Sequence, residues 1–137
     1  MSDCCAPVKD AVILACSGGS NVGQITNEAA KALDQLGQGR FFCGIGIGAG
    51  LPKFIETARD ATCVAIDGCE VACMKKALEN AGLTPDVYVV VTDLGIEKGH
   101  HFDIPSEQVA EVAGLAAAGL EALGAAPSGA GEGGCGG

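Results

Sequence analysis

The chain has 137 residues, of which 48% are hydrophobic and 18% charged, so it is long and apolar enough to bury one core. Acidic residues outnumber basic ones by 17 to 8, which gives a formal net charge of −9 at pH 7. This charge excludes a basic surface for nucleic acid or for an anionic membrane, and the lack of Trp argues against base stacking. No apolar run reaches the ~18 residues that a transmembrane helix needs.

Cysteine usage is the main indication of function. Residues 1–10 are predicted to form a flexible arm that carries Cys4 and Cys5 but lacks the charged and apolar stretches of a secretory signal. We therefore expect a cytoplasmic protein. In a reducing compartment, the eight cysteines are more often metal ligands, redox groups or small core residues than disulfides.

Four short apolar segments are typical of strands buried on both faces: residues 11–16, 40–43, 62–66 and 87–91. The helices predicted between and after them cover residues 20–36, 52–58, 69–81 and 105–123. Ser20 or Asn21 is expected to cap the first helix, and Gly37 to end it.

The remaining segments are predicted to be irregular. Residues 44–50 form a glycine-rich loop, and residues 93–103 form a loop that carries Lys98, His100 and His101. Residues 125–137 consist mainly of Ala and Gly with Cys135, a composition that predicts a disordered tail. Residues 11–124 are therefore expected to form a single domain.

Alternation of buried strands with helices predicts an α/β fold. We expect a three-layer sandwich around a four-stranded, mostly parallel sheet of Rossmann-like or flavodoxin-like type. In such sheets, ligands bind outside the carboxyl ends of the strands.

Four cysteines are predicted to lie at that edge. Cys16 and Cys43 end the first two strands, Cys69 follows the third, and Cys73 comes one helical turn later. Each long gap between them spans one crossover, so the sulfurs return to the same edge. With strand order 2-1-3-4 all four thiols can meet, and a thiolate site for Zn²⁺ needs its sulfurs roughly 3.8 Å apart.

The same residues resemble a known family. Cys16-Ser17-Gly18-Gly19-Ser20-Asn21, then Cys43-x-Gly-Ile-Gly, then Asp67-Gly68-Cys69 with Cys73, are similar to the DGC-domain family of zinc-binding proteins, named for the central Asp-Gly-Cys. The resemblance covers roughly residues 11–100. It implies a metal held by Cys16, Cys43, Cys69 and Cys73, and no particular reaction; the protein would be a metal sensor or carrier, or hold a structural ion.

Two alternatives use the same thiols. Cys16 precedes a helix N-terminus and can act as the nucleophile of a thiol-dependent redox or transfer enzyme, with a neighbouring cysteine as resolver. Soft ligands also suit an iron–sulfur cluster. Phosphatase chemistry is disfavoured because Val22 stands where such loops place an Arg, and residues 44–50 lack a complete nucleotide-binding motif for FMN or NAD.

Neighbouring polar residues have two interpretations each. Asn21 either caps a helix or hydrogen-bonds a ligand sulfur, and Asp67 either ends a strand or orients the site. Lys98 is either solvated or offsets the negative charge of a thiolate site. His100 and His101 are either solvated or replace a cysteine ligand.

The remaining cysteines are treated separately. Cys63 lies within a predicted strand and is expected to be a small core residue. Cys4, Cys5 and Cys135 are either incidental thiols or mobile carriers that reach the site.

Overall fold

The computed structural model describes residues 10–124. The predicted arm up to residue 9, with Cys4 and Cys5, and the predicted tail 125–137, with Cys135, lie outside the described residues. Within residues 10–124, every helix falls short of the length and hydropathy needed to cross a bilayer.

The described strands form one all-parallel sheet, so the predicted α/β fold is confirmed. The strands are β1 (Ala11–Ala15), β2 (Arg40–Phe41), β3 (Thr62–Asp67) and β4 (Val87–Val90). Their spatial order is β2-β1-β3-β4, as in the first four strands of flavodoxin-like sheets. β1 and β3 are central and pair from Ala11 opposite Thr62 to Ala15 opposite Ile66.

Helices cover both faces of the sheet. They are α1 (Asn21–Gln35), α2 (Gly44–Gly48), α3 (Pro52–Arg59), α4 (Cys73–Asn80) and α5 (Ser106–Ala122), with a 3₁₀ turn at Val91–Leu94. Because side chains alternate along a strand, Ile13 and Ile66 pack against α1 and α5, whereas Leu14 and Ala65 pack against α2, α3 and α4. These four side chains are fully buried.

The ends of α1 follow the prediction. Ser20 caps the helix, since its hydroxyl accepts a hydrogen bond from the Gly23 N–H at 3.1 Å. Gly37 follows the last turn with φ of 76°, the left-handed conformation that glycine adopts without strain.

The predicted loop 44–50 is wrong in part, because residues 44–48 form the short helix α2. Two of its glycines allow close packing. A Cβ on Gly44 would lie 2.7 Å from the Met74 sulfur, and a Cβ on Gly46 would meet the Phe54 ring. These two glycines therefore let α2 pack closely against Met74 and Phe54.

A thiol-lined cavity as the candidate functional site

A cavity of about 190 Å³ lies at the carboxyl edge of the sheet. Its lining includes three of the four cysteines predicted as metal ligands: Cys16, Cys69 and Cys73. Lys98 is the one cation among the described residues that line it. Three of the four thiols predicted at this edge therefore line one cavity, whereas Cys43 follows parallel β2 at the same edge without lining it.

Cys16 follows β1 and is fixed by the start of α1. Its backbone N–H donates to the Ile66 carbonyl at 3.1 Å, and its sulfur lies 3.7 Å from the Thr26 hydroxyl oxygen. Thr26 is fully buried; its hydroxyl donates to the Gly23 carbonyl at 2.6 Å and accepts from the Ser17 N–H at 3.0 Å. The thiol therefore projects from a well-braced segment.

Backbone forms much of the cavity wall on the α1 side. Residues 17–20 lie so close to α1 that a Cβ on Gly23 would meet the backbone of Gly18, 2.7 Å from its nitrogen. Ser17 has a left-handed φ of 52°. The Gln24 side-chain amide donates to the carbonyls of Ser17 and Gly18, at 3.2 and 2.9 Å. Only glycine at position 23 permits this approach.

The predicted helix 69–81 is wrong at its start, because α4 begins at Cys73. Cys69 and Ala72 form a turn closed by a 3.1 Å bond from the Ala72 N–H to the Cys69 carbonyl, and Ala72 is left-handed with φ of 59°. The two cysteines therefore do not lie one turn apart on a helix. Cys69 begins the turn and Cys73 begins α4, and both line the cavity.

Asp67 explains why α4 begins where it does. This carboxylate is 1% exposed and accepts from the backbone N–H groups of Met74 and Lys75, at 2.8 and 3.0 Å. It also accepts from the Tyr88 hydroxyl at 2.8 Å. Asp67 is the last residue of β3, as predicted, and its bonds hold the first turn of α4, which begins at Cys73. Its role in orienting a metal site stays a prediction.

Tyr88 supports the site through Asp67 without lining the cavity, and this contact was not predicted from the sequence. The available signal was one hydroxyl in an otherwise aliphatic strand, Val87-Tyr88-Val89-Val90. The Lys75 ammonium also lies 5.2 Å from the centre of the Tyr88 ring. Tyr88 thus links β4 to the start of α4 through Asp67.

Tyr88 should resist ionisation. Burial raises the pKa of its phenol above the ordinary value of 10.0, and the hydrogen bond to Asp67 and the negative charge of that carboxylate raise it further. Because Tyr88 is the one Tyr of the chain, the absorbance of ionised phenol reports its titration alone. We expect the native protein to form phenolate only at a higher pH than the unfolded chain does.

The sign of the effect on stability follows from the proton balance. Above pH ~10 the unfolded chain releases the phenolic proton and the native state keeps it, so the contribution of Tyr88 to stability is complete below that pH and falls as pH rises. Identical titration curves for native and urea-unfolded protein would contradict this assignment.

The other two described cysteines lie outside the cavity lining. Cys43 is exposed and immediately precedes α2, whose first residue Gly44 packs beside Met74. Cys63 is 3% exposed, and its thiol donates to the Ala58 carbonyl at 3.1 Å. The prediction of Cys63 as a core residue is confirmed.

A preassembled metal site is not found among residues 10–124, where no three His, Cys, Asp or Glu side chains group closely enough to hold an ion. The donor chemistry of the thiols still suits a soft ion such as Zn²⁺. Three donors surround one cavity and the fourth, Cys43, does not line it. The assignment of all four as ligands stays a prediction.

The polar neighbours have defined partners. The Lys98 ammonium lies 3.5 Å from the Cys69 sulfur. Neither histidine is among the described residues that line the cavity. The His100 ring packs edge-on against Phe102 with centroids 5.7 Å apart, and His101 Nδ1 accepts from the Asp103 N–H at 3.3 Å.

Asn21 has neither of its predicted roles. Ser20 caps α1, and the Asn21 side chain instead bonds the backbone of the segment that carries Lys98: its amide donates to the Glu97 carbonyl at 2.8 Å, and its carbonyl accepts from the Gly99 N–H at 2.7 Å.

Comparison with known proteins agrees with the motifs around this cavity. The family model of the DGC domain matches residues 12–115. The chain belongs to the DGC-domain family. The match includes all the described cavity cysteines, together with Asp67, Gly68 and Lys98.

A relative of this DGC-domain protein is the "Anaerobic and virulence modulator AnvM" of Pseudomonas aeruginosa PAO1. The two are 30% identical over 97 residues, which cover 70% of this chain and 74% of the relative. No solved structure matches the chain.

Proposed function

We propose that this DGC-domain protein binds a soft metal ion, Zn²⁺ in the first instance, through cysteine thiolates at the carboxyl edge of its sheet. The observation that carries the proposal is the convergence of Cys16, Cys69 and Cys73 on one cavity of about 190 Å³. Cys16 comes from the end of β1 and the other two from the turn after β3, so the sheet itself brings them together.

Charge and position support the same assignment. A Zn²⁺ ion held by four thiolates carries net negative charge, and the Lys98 ammonium beside Cys69 offsets it. Cys43 is the proposed fourth ligand because it follows the strand next to β1 and precedes Gly44, which packs against the residue after Cys73. A metal sensor or carrier is the class of function that we propose.

Metal analysis tests the proposal. Protein purified without added metal should contain one zinc per chain, and Cys→Ser changes at positions 16, 69 and 73 should each lower that content by about tenfold or more after dialysis. Cys43→Ser should do the same if it is the fourth ligand. Cys63→Ser is the matched control, since it removes a thiol outside the cavity and should leave the metal in place.

Other outcomes are decisive as well. If the purified protein instead contains iron and sulfide and absorbs visible light, the same thiols hold an iron–sulfur cluster and not zinc. Metal-free protein with all thiols freely titrating would refute the proposal, as would metal that persists in the Cys16, Cys69 and Cys73 variants.

One observation favours a second candidate, thiol-dependent transfer or redox chemistry. The observation is the Lys98 ammonium 3.5 Å from the Cys69 sulfur, although the nucleophile predicted from the sequence is Cys16. Peptide mapping after brief alkylation separates the two functions. Rapid modification of one cavity cysteine without chelator indicates a nucleophile, and modification that begins only after chelation indicates a metal ligand.

A further inference from the structure

Lys98 lies in a segment without helix or strand, between the 3₁₀ turn and α5. Its side chain is exposed, yet its ammonium is 3.5 Å from the Cys69 sulfur. An exposed lysine in irregular structure has four rotatable bonds and a strongly hydrated head, so its position over a cavity needs a backbone anchor.

Asn21 supplies that anchor from both sides of Lys98. Its side chain bonds Glu97 and Gly99, the residues on either side, and its own backbone N–H donates to the Gly99 carbonyl at 3.1 Å. Asn21 itself is 4% exposed, and both of its side-chain bonds are partly buried. The Ile96 side chain is 8% exposed and packs in the core on the α1 side, which anchors the same segment to the domain.

Helix capping does not explain the contacts of the Asn21 side chain. Ser20 caps α1, and both polar atoms of the Asn21 amide are used on the distant segment, 76 and 78 residues along the chain. Both partners are backbone atoms, so the contact fixes where residue 98 lies whatever its side chain is.

We propose that Asn21 is a positioning residue that holds Lys98 over the thiol cavity, where the lysine is the fixed counter-charge for a negatively charged thiolate–metal centre. This inference rests on the proposed function for its metal-binding part. In this proposal the buried Asn21 amide sets the charge of a cavity that it does not line. Through that charge it also sets the metal affinity of the cavity.

The charge part can be measured without metal. Iodoacetate and iodoacetamide alkylate the same thiolate, but only iodoacetate is an anion, so the ratio of their rates at one cysteine reports local positive charge. We expect Lys98→Met to lower this ratio at Cys69 by about threefold at low salt, and Asn21→Ala to lower it similarly. The ratio at exposed Cys43 should stay unchanged.

Controls separate position from net charge and from folding. Lys53→Met removes an exposed lysine on α3 and should leave the Cys69 ratio at the wild-type value. The double variant Asn21→Ala/Lys98→Met should be no lower than Lys98→Met alone, because both act through one ammonium. Asn21→Ser, too short to reach both partners, replaces Asn21→Ala if the latter does not fold.

Zinc affinity by chelator competition provides the second readout. Lys98→Met and Asn21→Ala should each weaken binding by about tenfold, without additivity. A wild-type ratio at Cys69 in folded Asn21→Ala, with a lowered ratio in Lys98→Met, would overturn the positioning role. Failure of wild-type protein to bind zinc would refute the proposed function alone, since the alkylation ratio still tests the link between Asn21 and Lys98.

Discussion

Asp67→Ala is expected to lower the free energy of unfolding by about 3 kcal/mol. The change leaves three donors without their acceptor, the N–H groups of Met74 and Lys75 and the Tyr88 hydroxyl. Each hydrogen bond to a charged group contributes about 1.5–3 kcal/mol to stability. Part of the loss is offset because the variant no longer buries a carboxylate.

Urea denaturation measures the loss, and two variants calibrate it. Tyr88→Phe removes one of the three bonds and should cost about 1 kcal/mol. Asp67→Asn can keep an acceptor for Met74, but its amide N–H₂ then faces both Lys75 and Tyr88, which bond the same carboxylate oxygen, so its effect should lie between those of Tyr88→Phe and Asp67→Ala. An Asp67→Ala protein within about 0.5 kcal/mol of wild type, a margin typical of neutral surface substitutions, would contradict the role of this carboxylate.

Gly23→Ala is expected to destabilise the fold by about 2–3 kcal/mol and to displace Cys16 from the cavity. The added Cβ would meet backbone atoms of Gly18, including its carbonyl oxygen, and backbone cannot give way as a flexible side chain can. Residues 17–20 would have to move, and the Ser17 N–H contact with Thr26 would move with them.

Gly114→Ala is the matched control for Gly23→Ala. Gly114 lies in α5 and is exposed, and a methyl group added there would have no neighbouring atom within 4 Å, so the change should stabilise the helix by about 0.5–1 kcal/mol. Thermal unfolding should therefore move in opposite directions for the two glycines. Equal midpoints would show that the close approach at Gly23 is not required.

The sequence predicts the fold well because its strongest signals are local. The run Ala11-Val12-Ile13-Leu14 is apolar throughout, which is typical of a strand covered on both faces, and alternation with helices then selects a parallel sheet. The errors arise where distant contacts decide the structure. Gly44 joins a helix that packs beside Met74, and α4 starts late because Asp67 binds the N–H groups of its first turn.

The site is predictable to the level of the sheet edge and no further. Parallel topology sends Cys16 and Cys69 to the same rim. The positions of the Cys69 and Cys73 sulfurs depend on the turn that ends at left-handed Ala72. Sequence periodicity predicts a helix at that turn. The Asn21 side chain bonds backbone atoms of residues 97 and 99. The side chains at those two positions therefore give no sign of these bonds in the sequence.

The order of the strands has a consequence for synthesis on the ribosome. β1 pairs along its whole length only with β3, and with two residues of β2 on its other side. At about 5–20 residues per second, roughly 3–10 s separate the emergence of β1 from that of β3. The nascent chain therefore carries the apolar segment Ala11–Ala15 through that interval without its main pairing partner, and the central sheet cannot close until β3 has emerged.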